Sequence, residues 1–398
     1  MRISTASAFE AGIDTLTQRQ VELSQSQERL TTGKRVVKAS DDPAAAARAE
    51  RALAGVLRSE TSQRAVDASR NAMTLTEGAL ADADALLQDA RETLVAAGNA
   101  TYNDQDRSTL ATKLAGIRQQ LLAVANRDDG AGGYLFAGQG TTVAPFLDSP
   151  GGVRYQAVAG QLRTEGSTDL PLSVDGQAIW MTARTGNGVF ETRAGAGVNG
   201  AWIDNGQVSD PAAITGSTYT LQFSVSAGVT TYAVLRDGAP TAVTAAPYTS
   251  GQGITLDGMS FAISGAPANG DSFTVLPSTS TLSAFDALDK AIADLGTPGR
   301  TGAQIAQSTT DNLRNIDSAK VCQERSRTIA GAELLRVDNE TSRLDSRKLA
   351  SQTERSNAED LDMVAAISTF QNQQTGYDAA LKSYSMVQRM SLFQYLNT

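Results

Sequence analysis

Few residues in this chain have the type and spacing needed for chemistry. Asp41 and Asp42 stand together before Pro43, and two adjacent carboxylates are a candidate metal-binding or acid/base pair. A carboxylate followed by proline is also the usual opening of an α-helix, because its oxygen accepts from free backbone N–H groups and proline fits the first helical position. No second ligand cluster accompanies the pair, so the pattern favours a helix cap.

Histidine is absent from the chain, and cysteine occurs once, at Cys322. This composition excludes disulfides within the chain, cysteine-rich zinc sites, and catalytic dyads or triads that contain histidine. We interpret Cys322 as a buried or half-buried thiol without a reactive role. The residue types still allow a glycosidase, because that class of enzyme can work with two carboxylates alone. No pair of acids in the sequence stands out for this role. We expect no catalysis, no metal and no cofactor.

Other binding chemistry is equally sparse. The glycine-rich run from 130 to 140 lacks the Lys-Ser/Thr pair of a phosphate loop, so we interpret it as a joint between domains. A net charge of -9 gives no basic field for nucleic acid, and no apolar run is long enough to span a membrane. The cationic group Lys34, Arg35 and Lys38 has two open interpretations, contact with acidic surface on a neighbouring subunit or a solvated face.

The two ends of the chain carry matching apolar patterns. Apolar residues spaced by four and three are typical of a coiled-coil seam, and they predict a helix whose face needs a partner. Because both ends carry such a seam, we expect the two terminal helices to pair. The seams comprise Phe9, Ile13, Leu16, Leu23 and Leu30 at the N-terminus, and Met363, Ile367, Phe370, Tyr377, Leu381, Tyr384 and Phe393 at the C-terminus.

These seams are weak for a hydrophobic core. Their large side chains are few, and Gln20, Gln27 and Gln374 interrupt them. Ordering a helix costs conformational entropy at every residue, which burial of a few side chains does not offset. We infer that the terminal pair is marginal alone and becomes rigid when neighbouring chains cover further faces. An ordinary intramolecular core is the alternative.

The middle of the chain predicts helices on both sides of a β region. Gly33 ends the first helix, and a heptad repeat from Val66 to Leu94 predicts one long helix from 44 to about 98. A further helix should follow a cap at Asp104 or Asp106. Short alternating runs then predict strands, with hairpin turns at Asp175-Gly176, Asp237-Gly238 and Asp257-Gly258. Helical periodicity returns from 284.

The predicted fold class is therefore mainly α with an inserted β domain. We divide the chain into three parts by composition. Residues 1–42 and 352–398 would form a coiled-coil-like terminal shaft, residues 43–135 and 281–351 a bundle of long helices, and residues 136–280 a β-rich outer domain.

Three segments resemble a known family. Residues 30–47, LTTGKRVVKASDDPAAAA, resemble the N-terminal signature of bacterial flagellins and their relatives, and include Gly33, Asp41, Asp42 and Pro43. Residues 126–146, NRDDGAGGYLFAGQGTTVAPF, and residues 361–396 resemble segments of the hook-associated protein 3 family. The segment GDSFTVLP at 270–277 is similar to one in other hook-associated proteins.

The resemblance implies a structural subunit of the bacterial flagellum at the hook-filament junction. Implied partners are hook-associated protein 1, flagellin, further copies in a ring and an export chaperone. Export would follow the flagellar type III route, without a cleaved signal peptide, to the cell exterior. The terminal helices would line the inner tube of the axial structure. Flagellin is the alternative within the family, and a surface-binding module with Trp180 and Trp202 as aromatic platforms is the alternative outside it.

Overall fold

The computed structural model describes the backbone of residues 5–164 and 169–396, and the side chains of residues 9–164 and 169–386. The chain divides into two compact units, residues 1–64 with 340–398, and residues 65–339. The three-part division into shaft, bundle and β domain remains a prediction. None of the described helices contains an apolar stretch long enough to cross a membrane.

Seven α-helices form in the described chain, and all but the short α4 fall in regions where helices were predicted. The single long helix is confirmed as α2, which ends just before Gly98. The helices are α1 (Thr5–Thr32), α2 (Pro43–Ala97), α3 (Asp104–Ala125), α4 (Gly176–Trp180), α5 (Ala284–Gly296), α6 (Gly302–Glu359) and α7 (Met363–Leu396).

The predicted cap of α3 is wrong by one residue. Asn103 caps this helix, and its side chain accepts from the backbone N–H of Asp106 at 2.9 Å. Asp106 accepts in return from the N–H of Asn103 at 3.0 Å, which completes a capping box. Asparagine caps as well as aspartate does, and the position before the first helical residue decides the role.

Within the 65–339 unit, every member of the heptad repeat of α2 is buried. Val66, Met73, Leu80, Leu87 and Leu94 are at most 1% exposed. Helix α6 carries a second repeat at the same spacing, and its members are also at most 2% exposed: Ile316, Gln323, Ala330 and Val337. Ala83 and Ala90, which lie between the heptad positions of α2, are also fully buried. Their small side chains leave room for a neighbouring helix to pack closely.

Ion pairs flank this seam and set the direction of the two helices. Four residues of α2, each seven apart, pair with residues of α6 in reverse order, so the helices are antiparallel. The pairs are Arg70–Asp338 (2.9 Å), Glu77–Arg327 (2.7 Å), Asp84–Lys320 (3.5 Å) and Arg91–Asp317 (2.7 Å). Their side chains are partly exposed, so each pair contributes at most about 1 kcal/mol and acts mainly on register.

An aromatic cluster closes the helical core of this unit. Trp180, at the end of α4, stacks on Phe285 of α5 with 5.8 Å between ring centroids, and meets Phe136 edge-on at 5.4 Å. Trp180 is fully buried. The expectation that it offers an aromatic platform is therefore wrong, because the ring fills the core beside the first β segment. Trp202 is half-buried.

The β region contains three antiparallel sheets. β1 pairs with β2, β11 lies between β10 and β4 and also pairs with β5, and the largest sheet has the order β3-β12-β6-β7-β8 with β9 beside β7. The strands are β1 (Phe146–Ser149), β2 (Gly152–Tyr155), β3 (Phe190–Ala194), β4 (Ala201–Ile203), β5 (Gln207–Val208), β6 (Tyr219–Ser226), β7 (Val229–Arg236), β8 (Ala239–Pro240), β9 (Ala246–Pro247), β10 (Gly253–Leu256), β11 (Met259–Gly265) and β12 (Ser272–Pro277).

Two of the three predicted hairpin turns are confirmed. Asp237-Gly238 joins β7 to β8 and Asp257-Gly258 joins β10 to β11, with positive φ at all four residues, as type I′ turns require. The turn predicted at Asp175-Gly176 is wrong. Asp175 instead caps α4 by accepting from the N–H of Ala178, since an aspartate before glycine serves either structure.

We expect Gln323→Leu to stabilise the 65–339 unit. Gln323 is 1% exposed, and its amide has no hydrogen-bond partner in the described chain. A buried unpaired amide costs roughly 1–3 kcal/mol, so an apolar side chain of similar size should raise the free energy of unfolding by about that much. Urea unfolding followed by circular dichroism measures the change.

The matched control is Gln105→Leu on the exposed face of α3, which should shift the free energy of unfolding by no more than about 0.5 kcal/mol. A lower stability of the Gln323→Leu variant would contradict the account. It would mean that the buried amide contributes favourably to the helix pair.

Candidate assembly interface

The joint between α1 and α2 is bonded to the joint between α6 and α7. Helix α1 ends at Gly33, whose φ of +68° is the left-handed conformation typical of a helix C-terminus. The carbonyl of Gly33 accepts from the N–H of Leu361 at 3.0 Å, and the N–H of Arg35 donates to the carbonyl of Glu359 at 2.7 Å. The two connections therefore hold the first and last helices side by side.

The two aspartates of this joint accept backbone hydrogen bonds, Asp42 at the start of α2 and Asp41 in the turn before it. Asp42 accepts from the N–H of Ala45 at 2.9 Å, and Pro43 is the first residue of α2. Asp41 accepts from the N–H groups of Val37 and Lys38 at 3.0 and 2.9 Å. These backbone hydrogen bonds lower the pKa of both carboxyls. No cluster of metal-ligating side chains occurs among the described residues.

The three cationic residues of the joint contact acids of their own chain. Lys34 pairs with Glu359 at 3.2 Å, and Arg35 with Asp42 at 3.1 Å. Lys38 lies 3.7 Å from Glu28. These side chains are partly exposed, so they steady the joint only modestly.

The terminal helices contact each other, and one of their contacts joins two residues of the predicted seams. The rings of Phe9 and Tyr384 lie 5.2 Å apart. Gly12 lies under the same tyrosine, and a Cβ added there would come within 3.3 Å of the ring. The hydroxyl of Ser26 donates to the side-chain oxygen of Gln373 at 2.5 Å. These contacts join residues 9–26 of α1 to residues 373–384 of α7.

This pairing leaves much of the seam uncovered. No described side chain of α1 or α7, from 9 to 32 and from 363 to 386, is buried. Phe9, Ile13, Met363, Ile367 and Leu381 are 37 to 45% exposed. The half-buried seam members are Leu16, Leu23, Leu30, Phe370, Tyr377 and Tyr384, and the side chain of Phe393 lies outside the described residues.

Further apolar side chains are exposed off the predicted seams. Val21 is 50% exposed, Met386 is 62% exposed and Val364 is 79% exposed. These residues do not follow the four-and-three spacing of the seams, because they lie on other faces of the helices. Fully burying such a side chain contributes about 1.5–3 kcal/mol. The helix pair therefore offers apolar surface in several directions.

Two protein families match parts of this chain. The bacterial flagellin N-terminal helical region matches residues 3–141. The D2-like domain of flagellar hook-associated protein 1 matches residues 191–277, which contain most of the β region and the segment GDSFTVLP.

Several individual proteins are similar over longer stretches. Flagellar hook-associated protein 3 of Escherichia coli is 27% identical over 394 residues, 99% of both chains. The hook-associated protein 3 of Salmonella typhimurium is 36% identical over 194 residues, 48% of this chain and 57% of that protein. The crystal structure of Xanthomonas campestris FlgL is 30% identical, has a TM-score of 0.69, and covers 77% of this chain and 99% of that one.

We predict different effects for two substitutions of Asp42. Asp42→Asn keeps an oxygen that accepts from Ala45 but loses the ion pair with Arg35, whereas Asp42→Ala loses both. Amide hydrogen exchange of residues 44–47 should accelerate in the Ala variant and change little in the Asn variant. Equal acceleration in both would assign the effect to the ion pair.

The same cap should weaken at low pH. The folded pKa of Asp42 lies below its ordinary value of 3.8, so its contribution is complete above that pH and is lost as the pH falls through the lowered value. Protection of the Ala45 amide, followed by pulsed exchange between neutral and acid pH, should fall only below about 3.8 in the wild type. The Asp42→Ala variant should show no such step.

Proposed function

This chain belongs to the flagellar hook-associated protein 3 family, and on that premise we propose that it is the structural subunit that joins hook to filament in a bacterial flagellum. The role requires no catalysis, cofactor or metal. Its site of action would be the cell exterior, reached through the flagellar type III apparatus as an unfolded chain.

The observation that carries the proposal is the uncovered apolar surface of α1 and α7. A finished monomer would bury its seam, but Ile13, Met363 and Ile367 remain 44 to 45% exposed after the two helices have paired. Exposed apolar surface of this extent marks an interaction site. We infer that the predicted seam residues lie at contacts between subunits, where the inner tube of the axial structure would form.

Three kinds of neighbour would cover this surface. We propose further copies of the chain in the same ring, hook-associated protein 1 on the hook side and flagellin on the filament side. Before assembly, an export chaperone would shield the same helices. Each occupant must supply an apolar helical face, because that is the chemistry the exposed seams share.

The β region supports a junction subunit over a filament subunit. Its similarity to the D2-like domain of hook-associated protein 1 supports a place beside the hook. The alternative of a surface-binding module required Trp180 and Trp202 to be accessible to a ligand. Trp180 is buried in the core and cannot serve in this way.

Immunogold labelling tests the proposed location. An antibody raised against residues 150–280 should label intact flagella in one narrow band at the hook-filament boundary under the electron microscope. Label along the whole filament would identify a filament subunit. Flagella without label would remove the flagellar role.

We predict that Ile367→Glu blocks assembly but not folding. Ile367 is 45% exposed in the monomer, so the charge stays hydrated there, whereas burial between subunits would leave it unpaired at a cost of several kcal/mol. In a strain that lacks its own copy, the variant should fail to restore motility and leave filament subunits in the medium. Circular dichroism should match the wild type.

Val229→Glu is the matched control, since Val229 is 60% exposed at the start of β7 and outside the terminal helices. It should restore motility fully. Normal flagella with Ile367→Glu would contradict the assignment of the seam to subunit contacts.

A further inference from the structure

A groove of about 480 Å³ opens along α6 within the 65–339 unit. Six residues of α6, spaced by three and four, form one wall, and the segment after α4 forms the other with Thr182, Arg184 and Asn187. The residues of the first wall are Arg314, Asp317, Ser318, Val321, Cys322 and Arg325. None of them belongs to the terminal seams.

Two charged residues of this groove are neutralised within the chain. Arg314 is 7% exposed, forms an ion pair with Asp311 at 3.1 Å, and donates to the carbonyl of Thr192 at 3.3 Å. Asp317 pairs with Arg91 at 2.7 Å. Because Arg314 and Asp317 are each paired with an opposite charge, neither is free to attract a charged ligand.

The other two charged residues are both cationic and lack a counter-ion. Arg184 donates one N–H to the carbonyl of Gly188 at 3.0 Å, and no carboxylate of the described residues pairs with Arg184 or with Arg325. Most arginines of this unit do pair with an acid, including Arg118 with Asp148 and Asp289. Two arginines without a described counter-ion therefore line one groove in a chain whose net charge is -9.

We propose that this groove binds the carboxylate side chains of an acidic segment of a neighbouring protein subunit. A guanidinium group presents parallel N–H donors that match a carboxylate, and two of them select an anion over a neutral ligand. Val321, 63% exposed at the rim, adds apolar contact for a peptide. We choose a neighbouring copy of this chain as the occupant, because its 43 acids outnumber its 34 basic residues. That choice of occupant rests on the proposed function.

Cys322 provides a reporter inside the groove, because it is the only cysteine of the chain. Its thiol lies 3.4 Å from the carbonyl of Ala178. The neutral disulfide 4,4′-dithiodipyridine reacts with an accessible thiol and releases a coloured product. A ligand in the groove should slow this reaction, and the full-length protein in its wild-type form can be used directly.

The probe is the peptide hexaglutamate. At millimolar concentration it should slow the reaction of Cys322 by about threefold, as two exposed charge pairs would allow, and salt should abolish the effect. Hexalysine should not slow it. The double variant Arg184→Gln/Arg325→Gln should lose the protection, whereas Arg154→Gln, an exposed arginine on β2, should keep it.

Three results would overturn the proposal: no protection in the wild type, equal protection in the double variant, or equal protection by hexalysine. Protection by an oligogalacturonate but not by hexaglutamate would reassign the groove to a carboxylated glycan. The assay uses the free protein in solution. Its failure would leave the flagellar location untouched, just as a misplaced immunogold band would leave the groove chemistry untouched.

Discussion

The described parts of the terminal helices keep apolar surface exposed after they have paired, and this constraint separates them from the rest of the structure. Two helices packed on each other bury one face each. Here even the paired faces stay partly open, and Val21, Val364 and Met386 lie on other faces. Since helix formation in water depends mainly on burying an apolar face, we propose that the ends of this chain gain their full stability from neighbours. The 65–339 unit buries its heptads internally and does not share this dependence.

The two units are therefore stabilised in different ways. Between α2 and α6, the apolar heptads and four ion pairs lie within one chain and fix the register. Between α6 and the β region, buried polar contacts are also present. Gln307 accepts from the N–H of Ile203 at 2.8 Å, and Arg314 donates to Asn205 at 3.2 Å. Buried polar contacts are costly to break and specify one geometry, so they hold the β strands in a defined position on α6.

Much of this architecture follows from local sequence signals. The heptads of α2, the Asp-Gly turns of β8 and β11, and the Asp42-Pro43 helix start all depend on residues close in sequence, and all were predictable. The cap at Asn103 and the helix at Asp175 were not, because several residue types serve a cap or a turn equally well. Contacts between residues far apart in the sequence were also not predictable. The burial of Trp180 depends on Phe136 and Phe285. The groove depends on Arg184 and Arg325, which are far apart in sequence but line the same groove.

Amide hydrogen exchange on the free protein and on purified flagella tests the central claim most directly. The account predicts weak protection of α1 and α7 in the free protein, strong protection of α2 and α6 between 65 and 339 in both samples, and a large gain in protection of α1 and α7 only after assembly. Strong protection of both terminal helices in the free monomer would contradict it. The seams would then be an ordinary intramolecular core.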